Sequence, residues 1–238
     1  MQLSDRPFYA LLMALTGVLS VSAGDLITKN ISSLASLWQI LWLTSLLALL
    51  ILLTFLELSN QLYRIRPISR RHLITRSLLM ALCYLLFFTG LASMPMAVVA
   101  GGFFSASFFT VLLAWCLLRE HIVIWGIGSV IVGFIGVLLI LRPDTSSANA
   151  TLLLPVLGAF FYALTQVYTR KYCKNESSLA ISFWLALCFM FTGLIGVAVL
   201  AATPELQGEA FFNSAYKPPN FNTWIIFIFI AVASLLTH

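Results

Sequence analysis

Charge is what this chain has least of. Of its 238 residues, 13 are Lys or Arg, 8 are Asp or Glu and 3 are His, so 9% are charged, against roughly 25% in ordinary soluble domains. That shortage excludes a globular surface facing water on all sides. It also weighs against covalent catalysis. His72, His121 and His238 fall at the ends of apolar segments and stand in no ligand spacing with a carboxylate. No span holds the close Asp/Glu/His grouping that an intramembrane hydrolase or metalloenzyme needs, and no catalytic residue, metal or cofactor is expected. Cysteine is scarce as well. Cys83, Cys116, Cys173 and Cys188 have no paired spacing and lie in apolar segments or on the side expected to be cytoplasmic, where packing is their role.

What is present is apolar length. Hydrophobic residues make up 61% of the chain, in spans at about 8–28, 34–56, 73–93, 95–117, 122–141, 151–169, 179–201 and from 223 onward. A helix needs roughly 20 apolar residues to cross a hydrocarbon core of about 30 Å. Seven spans meet that length. The eighth, Trp224 to His238, has 15 residues, about 22 Å at 1.5 Å per residue, so the sequence is expected to stop inside a helix. The reading is an all-α polytopic membrane protein in contact with the lipid bilayer.

Basic residues set the orientation. With the N-terminus in the cytoplasm and alternating crossings, Arg6, Arg64, Arg66, Arg70, Arg71, Arg76, Arg119, Arg170, Lys171 and Lys174 face inward, and Lys29, Arg142 and Lys217 face outward. That bias is the positive-inside pattern. It accounts for the run Arg64 to Arg76 without a nucleic-acid partner, and none is expected. Arg6, the apolar run Phe8 to Leu19 and Val21-Ser22-Ala23 before Gly24 resemble a cleavable secretory signal. A repeat argues that this first span is retained.

The repeat is a seven-residue phrase used twice. Lys29-Asn30-Ile31-Ser32-Ser33-Leu34-Ala35 returns 145 residues later as Lys174-Asn175-Glu176-Ser177-Ser178-Leu179-Ala180, with Glu176 in place of Ile31 the one mismatch. Both copies join two apolar spans, and the same shift pairs span 1 with span 6. Five spans separate the copies, an odd number, so the second half enters the membrane upside down. Inverted repeats are the design of secondary transporters, with the ligand near the midplane.

Spans 3 to 5 carry a resemblance. Tyr84, Leu91-Ala92-Ser93-Met94-Pro95-Met96-Ala97-Val98-Val99-Ala100, Trp115-Cys116-Leu117-Leu118-Arg119-Glu120, Trp125-Gly126-Ile127, Gly133-Phe134-Ile135-Gly136-Val137 and Leu141-Arg142-Pro143 together resemble the EamA-like branch of the drug/metabolite transporter superfamily. The resemblance implies a ten-helix inverted-repeat transporter fold with both termini cytoplasmic, truncated here within the eighth transmembrane helix. Residues 1–142 would be the first five-helix repeat, 143–150 a short extracytoplasmic linker and 151–238 an incomplete second repeat. The family's proline midway along span 4 is replaced by Ser107, and Gly101-Gly102 nearby can supply the flexibility instead.

Intramembrane carboxylates usually mark proton or ion relays. Asp25, Glu57 and Glu120 all lie at span ends, and span 1 lacks the buried glutamate of the small multidrug exporters in the same superfamily, so facilitated diffusion or exchange is expected. The candidate pathway is polar and aromatic. Substrate-binding candidates are Ser20, Tyr84, Ser105, Ser107, Tyr162 and Gln166, with Thr16, Ser22, Thr89, Thr110, Thr165, Trp38 and Gln39 as weaker ones. Tyr162 and Gln166, four apart, share a helix face. The bland reading is that Ser and Thr bond their own backbone and that terminal Tyr and Trp anchor the interface. Ser129 and Gly133 make a small-xxx-small pair for packing within the half, with a homodimer face as the alternative. Arg119-Glu120 is expected to be a cytoplasmic rim pair worth about 0–1 kcal/mol.

These residues point to a secondary transporter of small polar metabolites in a bacterial-type plasma membrane, the cell inner membrane, working by alternating access. Family resemblance makes export of amino acids or related metabolites the leading substrate expectation. The alternatives are uptake or exchange of a larger amphipathic metabolite, such as a nucleoside-like cofactor or nucleotide sugar, and a non-transporting scaffold or lipid-linked sugar translocation component.

Overall fold

The computed structural model describes residues 35–119, 153–203 and 216–236 continuously, with scattered positions within 11–28 and 128–136 and at 151, 205, 211 and 214. Among the described residues all regular structure is helical. The helices are α1 (Leu37–Leu58), α2 (Arg70–Ser93), α3 (Met96–Phe103), α4 (Ala106–Leu113, continued by a π-helical turn Ala114–Leu118), α5 (Leu153–Tyr172), α6 (Ser178–Ala202) and α7 (Phe221–Leu236), with a 3-10 turn at Leu62–Ile65. Four stretches are long and apolar enough to cross a membrane: Leu37–Leu58, Arg70–Ser93, Met96–Leu118 and Ser178–Ala202. α5 has a comparable 20 residues but carries Tyr162, Thr165, Gln166, Tyr168, Thr169, Arg170 and Lys171. Ser20, most of the first copy of the repeated phrase, Ser129 and Glu120 lie outside the described residues.

Local chemistry explains where the helices begin. Ser36 caps α1, its Oγ accepting from the Gln39 N–H at 3.3 Å. Ser177 caps α6 in the same way through the Ala180 N–H at 3.0 Å. Each side-chain oxygen satisfies one of the amide donors that a helix start leaves open. The repeat pairs Ser177 with Ser32, so α1 starts one turn later than that pairing expects. At that start the Leu37 N–H donates to the Phe211 carbonyl at 3.1 Å, and the buried Gln39 amide pairs with the Lys217 backbone, accepting from its N–H at 3.2 Å and donating to its carbonyl. Glu176, the mismatch in the repeat, accepts from the Ser69 N–H at 2.7 Å and the Ile68 N–H at 3.1 Å. A carboxylate there satisfies donors and complements the dipole at the N-terminus of α2.

Span 4 is interrupted where glycine permits it. The Phe104 N–H is shared between Ala100 and Gly101 carbonyls at 3.1 and 3.3 Å, and the Ser105 N–H reaches Gly102 at 3.2 Å. This tightening toward 3-10 geometry separates α3 from α4. It lies just before Ser107. The span closes at Arg119, which adopts a left-handed conformation with φ 55°, while Lys171 Nζ donates to the Leu117 carbonyl at 3.0 Å. A cation on the last carbonyls completes the helix end.

The chain forms two compact units, Met1–Pro67 with Ser177–His238, and Ile68–Glu176. In the first, α1 packs against α6 and α7. The α1–α6 contact is antiparallel, Trp38 lying against Gly196 and Trp42 against Gly193. A Cβ at Gly193 would stand 2.5 Å from the Trp42 nitrogen and 2.7 Å from the Trp38 carbonyl. In the second, α5 packs against α2, α3 and α4. Here too the main pair is antiparallel. Gly158 faces Cys83 and Phe87, and Gly90 faces Pro155. Small residues let membrane helices approach closely, and packing rather than water expulsion holds them there.

Gly193→Ala is therefore expected to destabilise the protein by about 1–3 kcal/mol, since backbone and not a movable side chain blocks the new methyl. Gly158→Ala, whose nearest atoms would be the Cys83 carbonyl at 3.4 Å and the Phe87 nitrogen at 3.5 Å, should cost less. Unfolding in mixed micelles, followed by tryptophan fluorescence, checks the order.

Candidate functional site

Five of the six substrate-binding candidates fall in the unit Ile68–Glu176. Its centre is one face of α5. Tyr162, Gln166 and Thr169, spaced four and three apart, line up along the helix. Tyr162 and Gln166 are half-buried, as is Tyr84 on α2. Rings join the two tyrosines. Tyr162 tilts against Phe103 at 5.3 Å between centroids, and Phe103 stands edge-on to Phe87 at 5.1 Å. Phe87 is edge-on to Phe88 at 5.6 Å, and Phe88 tilts against Tyr84 at 5.7 Å. A second run joins α4 to α5, with Phe109 edge-on to Phe160 at 5.4 Å.

Ser105 and Ser107 differ from the tyrosines. Ser105 is buried, and its hydroxyl donates to the Gly102 carbonyl at 2.7 Å. Ser107 is exposed. Three of the weaker candidates bond their own helix. Thr89, Thr110 and Thr165 donate to the carbonyls of Leu85, Ala106 and Phe161, four residues back, at 2.6, 2.7 and 2.8 Å. Gln39 is held by Lys217, and Trp38 fills the space over Gly196. A Cβ on Gly133 or Gly136 would meet nothing within 4 Å, so the small-residue face of span 5 has no packing neighbour at its described positions.

Toward the N-terminus of α2 the same α5 face continues in polar groups that the candidate set missed. His72 stacks on Tyr172 with centroids 4.7 Å apart and 13° between planes, and its Nδ1 lies 2.8 Å from the Tyr168 hydroxyl. One turn further in, Arg76 Nε donates to Thr169 Oγ1 at 3.0 Å. Arg76 is only 6% exposed, and its Nη1 is buried without a hydrogen-bond partner. The neighbouring Ser77 hydroxyl is buried and unpartnered too. Basic-residue counting places Arg76 among the topology-setting charges; the signal that separates it is its position three residues inside the apolar span 73–93.

Cys173, just past α5, is buried. Burial pushes its thiol up, Arg76 acts in the opposite direction and Glu176 adds to the rise. A raised thiol pKa favours the protonated form, so this group's contribution to stability is intact below the unfolded thiol value of about 8.5 and is lost as pH climbs through the folded one. Maleimide labelling at Cys173 should stay slow at pH 7 and rise only above the ordinary thiol range. Rapid labelling at neutral pH would contradict this.

The aromatic run makes a separate prediction. Phe103→Leu loses two ring pairs, each worth about 0.5–1.5 kcal/mol, and should destabilise by about 1–3 kcal/mol. Tyr162→Phe keeps the ring and should change stability little. Equal losses in micelle unfolding would show that the tyrosine hydroxyl, not the ring, holds the contact.

Known proteins resemble this chain in sequence. The chain is 26% identical to an S-adenosylmethionine uptake transporter of Rickettsia bellii over 194 residues, covering 81% of this chain and 66% of that protein. It is 29% identical to the protein of the same name in Rickettsia conorii, covering 80% and 65%. It is 27% identical to that of Rickettsia felis, covering 73% and 58%. The chain thus spans between 58% and 66% of the length of these relatives. Residues 8–142, more than half of the chain, match the profile of the EamA-like transporter family. With its apolar membrane-length helices, paired through glycine, this chain belongs to the EamA-like transporter family.

Proposed function

We propose that the chain is the solute-handling part of a secondary carrier in the plasma membrane, working by alternating access between two inverted five-helix halves. The first half is residues 1–142, followed by a linker at 143–150, and the second half starts at 151. The N-terminus lies in the cytoplasm. The pairing of α1 with α6 supports the duplication, because the 145-residue shift superposes these two helices and a two-fold axis in the membrane brings equivalents together.

The solute is a metabolite with an amino-acid end and a flat apolar part, taken up or exchanged. The observation that carries this reading is the aromatic run from Tyr84 to Tyr162 beside the polar face of Gln166 and Thr169. Rings offer a flat group faces and edges to stack on, at about 1–3 kcal/mol for a nucleobase. S-adenosylmethionine, for which the relatives are named, has both parts. Export of simple amino acids is the second reading, favoured by the same α5 face without the rings.

Counterflow into proteoliposomes separates the readings. Labelled S-adenosylmethionine should exchange faster than any of a panel of labelled amino acids, and Gln166→Leu should lower that flux about 2- to 10-fold, the worth of one hydrogen bond, with expression unchanged. Faster amino-acid exchange supports the second reading. Intact folded protein with no flux for any solute makes the chain a membrane scaffold. Unaltered kinetics in Gln166→Leu put that residue on a packing surface.

A further inference from the structure

Arg76 is the one buried cation among the described residues whose position the fold does not explain. It is the seventh residue of α2, about 9 Å along the helix axis. At 6% exposure it does not snorkel to water. Among the described residues its electrostatic neighbours are the Cys173 thiol and the Tyr162 phenol, and neither is a carboxylate. Thr169 accepts one of its five donors, and Nη1 is sealed from solvent with nothing to donate to. The nearby carboxylate of Glu176 is engaged elsewhere, on the amides of Ile68 and Ser69.

A guanidinium stays charged in a protein. Leaving it buried without a counter-charge costs several kcal/mol, and an ionisable group inside a membrane span marks a ligand pathway when its partner is missing. We infer that Arg76 is a carboxylate anchor: the anionic end of the transported solute docks on its free Nη1 donors. The solute's remaining length then lies along the α5 face through Gln166 and Tyr162 toward the ring run. Thr169 acts as a positioning residue. It accepts from Arg76 Nε and donates to the Thr165 carbonyl at 2.7 Å, fixing which edge of the guanidinium remains open. Burial of the open edge fits a carrier in which the site is shut in one state and reached in another. The inference rests on the carrier reading for its ligand, but binding tests it without flux.

The experiment uses the full chain in lipid nanodiscs and measures equilibrium binding of each solute of the counterflow panel beside its carboxyl methyl ester. Wild type should bind at least one acid about 10-fold or more tightly than its ester. In Arg76→Gln that ratio should fall to within about 2-fold, with ester affinity unchanged, and Arg76→Lys should keep part of it because it keeps the charge without the planar fork. Acid and ester binding equally to wild type, no binding by any solute, or a ratio that survives Arg76→Gln would overturn the anchor. So would inorganic phosphate competing as well as the acid, which would make this a general anion site. The wild-type ratio decides the matter even if the glutamine variant fails to fold. Acid-selective binding without counterflow keeps the anchor and sinks the carrier. Counterflow without acid selectivity does the reverse.

Discussion

Helices in a membrane can touch closely only where a side chain is missing, and in each unit the fold turns on such a place. Gly193 brings α6 against the backbone of α1 at Trp38 and Trp42, and Gly158 brings α5 against α2 at Cys83 and Phe87. Lipid tails are as apolar as leucine, so burial gives no preference for a neighbouring helix over the bilayer. Shape does. Once Gly158 is seated, the antiparallel register of α2 and α5 follows, and with it the pairings of His72 with Tyr168 and of Arg76 with Thr169. The polar site is therefore a consequence of a glycine contact about three turns away.

Within that frame most polar side chains are satisfied locally. Thr44, Thr54, Thr89, Thr110, Thr165, Ser182 and Thr192 each bond the carbonyl four residues back. A hydroxyl so engaged has an internal partner, which hydrocarbon demands, and can offer a solute only what its lone pairs allow. Gln39 and Glu176 are also engaged, on backbone amides remote in sequence. Among the described residues of α5 and α2, the polar tips not closed off by their own helix include Gln166, the hydroxyls of Tyr162 and Ser77, and Arg76.

Much of the helix layout was legible in the residues. The apolar runs at 34–56, 73–93, 95–117, 151–169 and 179–201 correspond to α1, α2, the α3–α4 span, α5 and α6 within a few residues at each end, because length and hydropathy alone decide which segments cross a bilayer. Gly101-Gly102 marked local flexibility in span 4, and the helix is interrupted just after them. The site was readable only in part. Tyr162 and Gln166 share a face by spacing, and that face is the one lined with partners. Their link to Tyr84 runs through Phe87, Phe88 and Phe103, which in sequence are indistinguishable from lipid-facing phenylalanines. Gln39, read from sequence as a weaker pathway candidate, pairs with Lys217, 178 residues away. No local pattern encodes such a pairing.

The sign of the site follows from the same accounting. A carrier of the small multidrug exporter type holds a buried carboxylate and so handles cations or protons. Here the described spans bury a guanidinium instead, and the acidic residue closest to it in sequence terms across the helix pair, Glu176, sits outside α5 and is committed to the start of α2. The proposed anchor puts positive charge at one end and aromatic rings further along the same helix pair, an arrangement complementary to a solute that is anionic at one end and flat at the other. Amino-acid and nucleoside-bearing solutes share the first requirement and differ in the second. In the proposed carrier, the charge at Arg76 is the feature that would set the class of solute, and the rings between Tyr84 and Tyr162 the feature that would set which member of it is held.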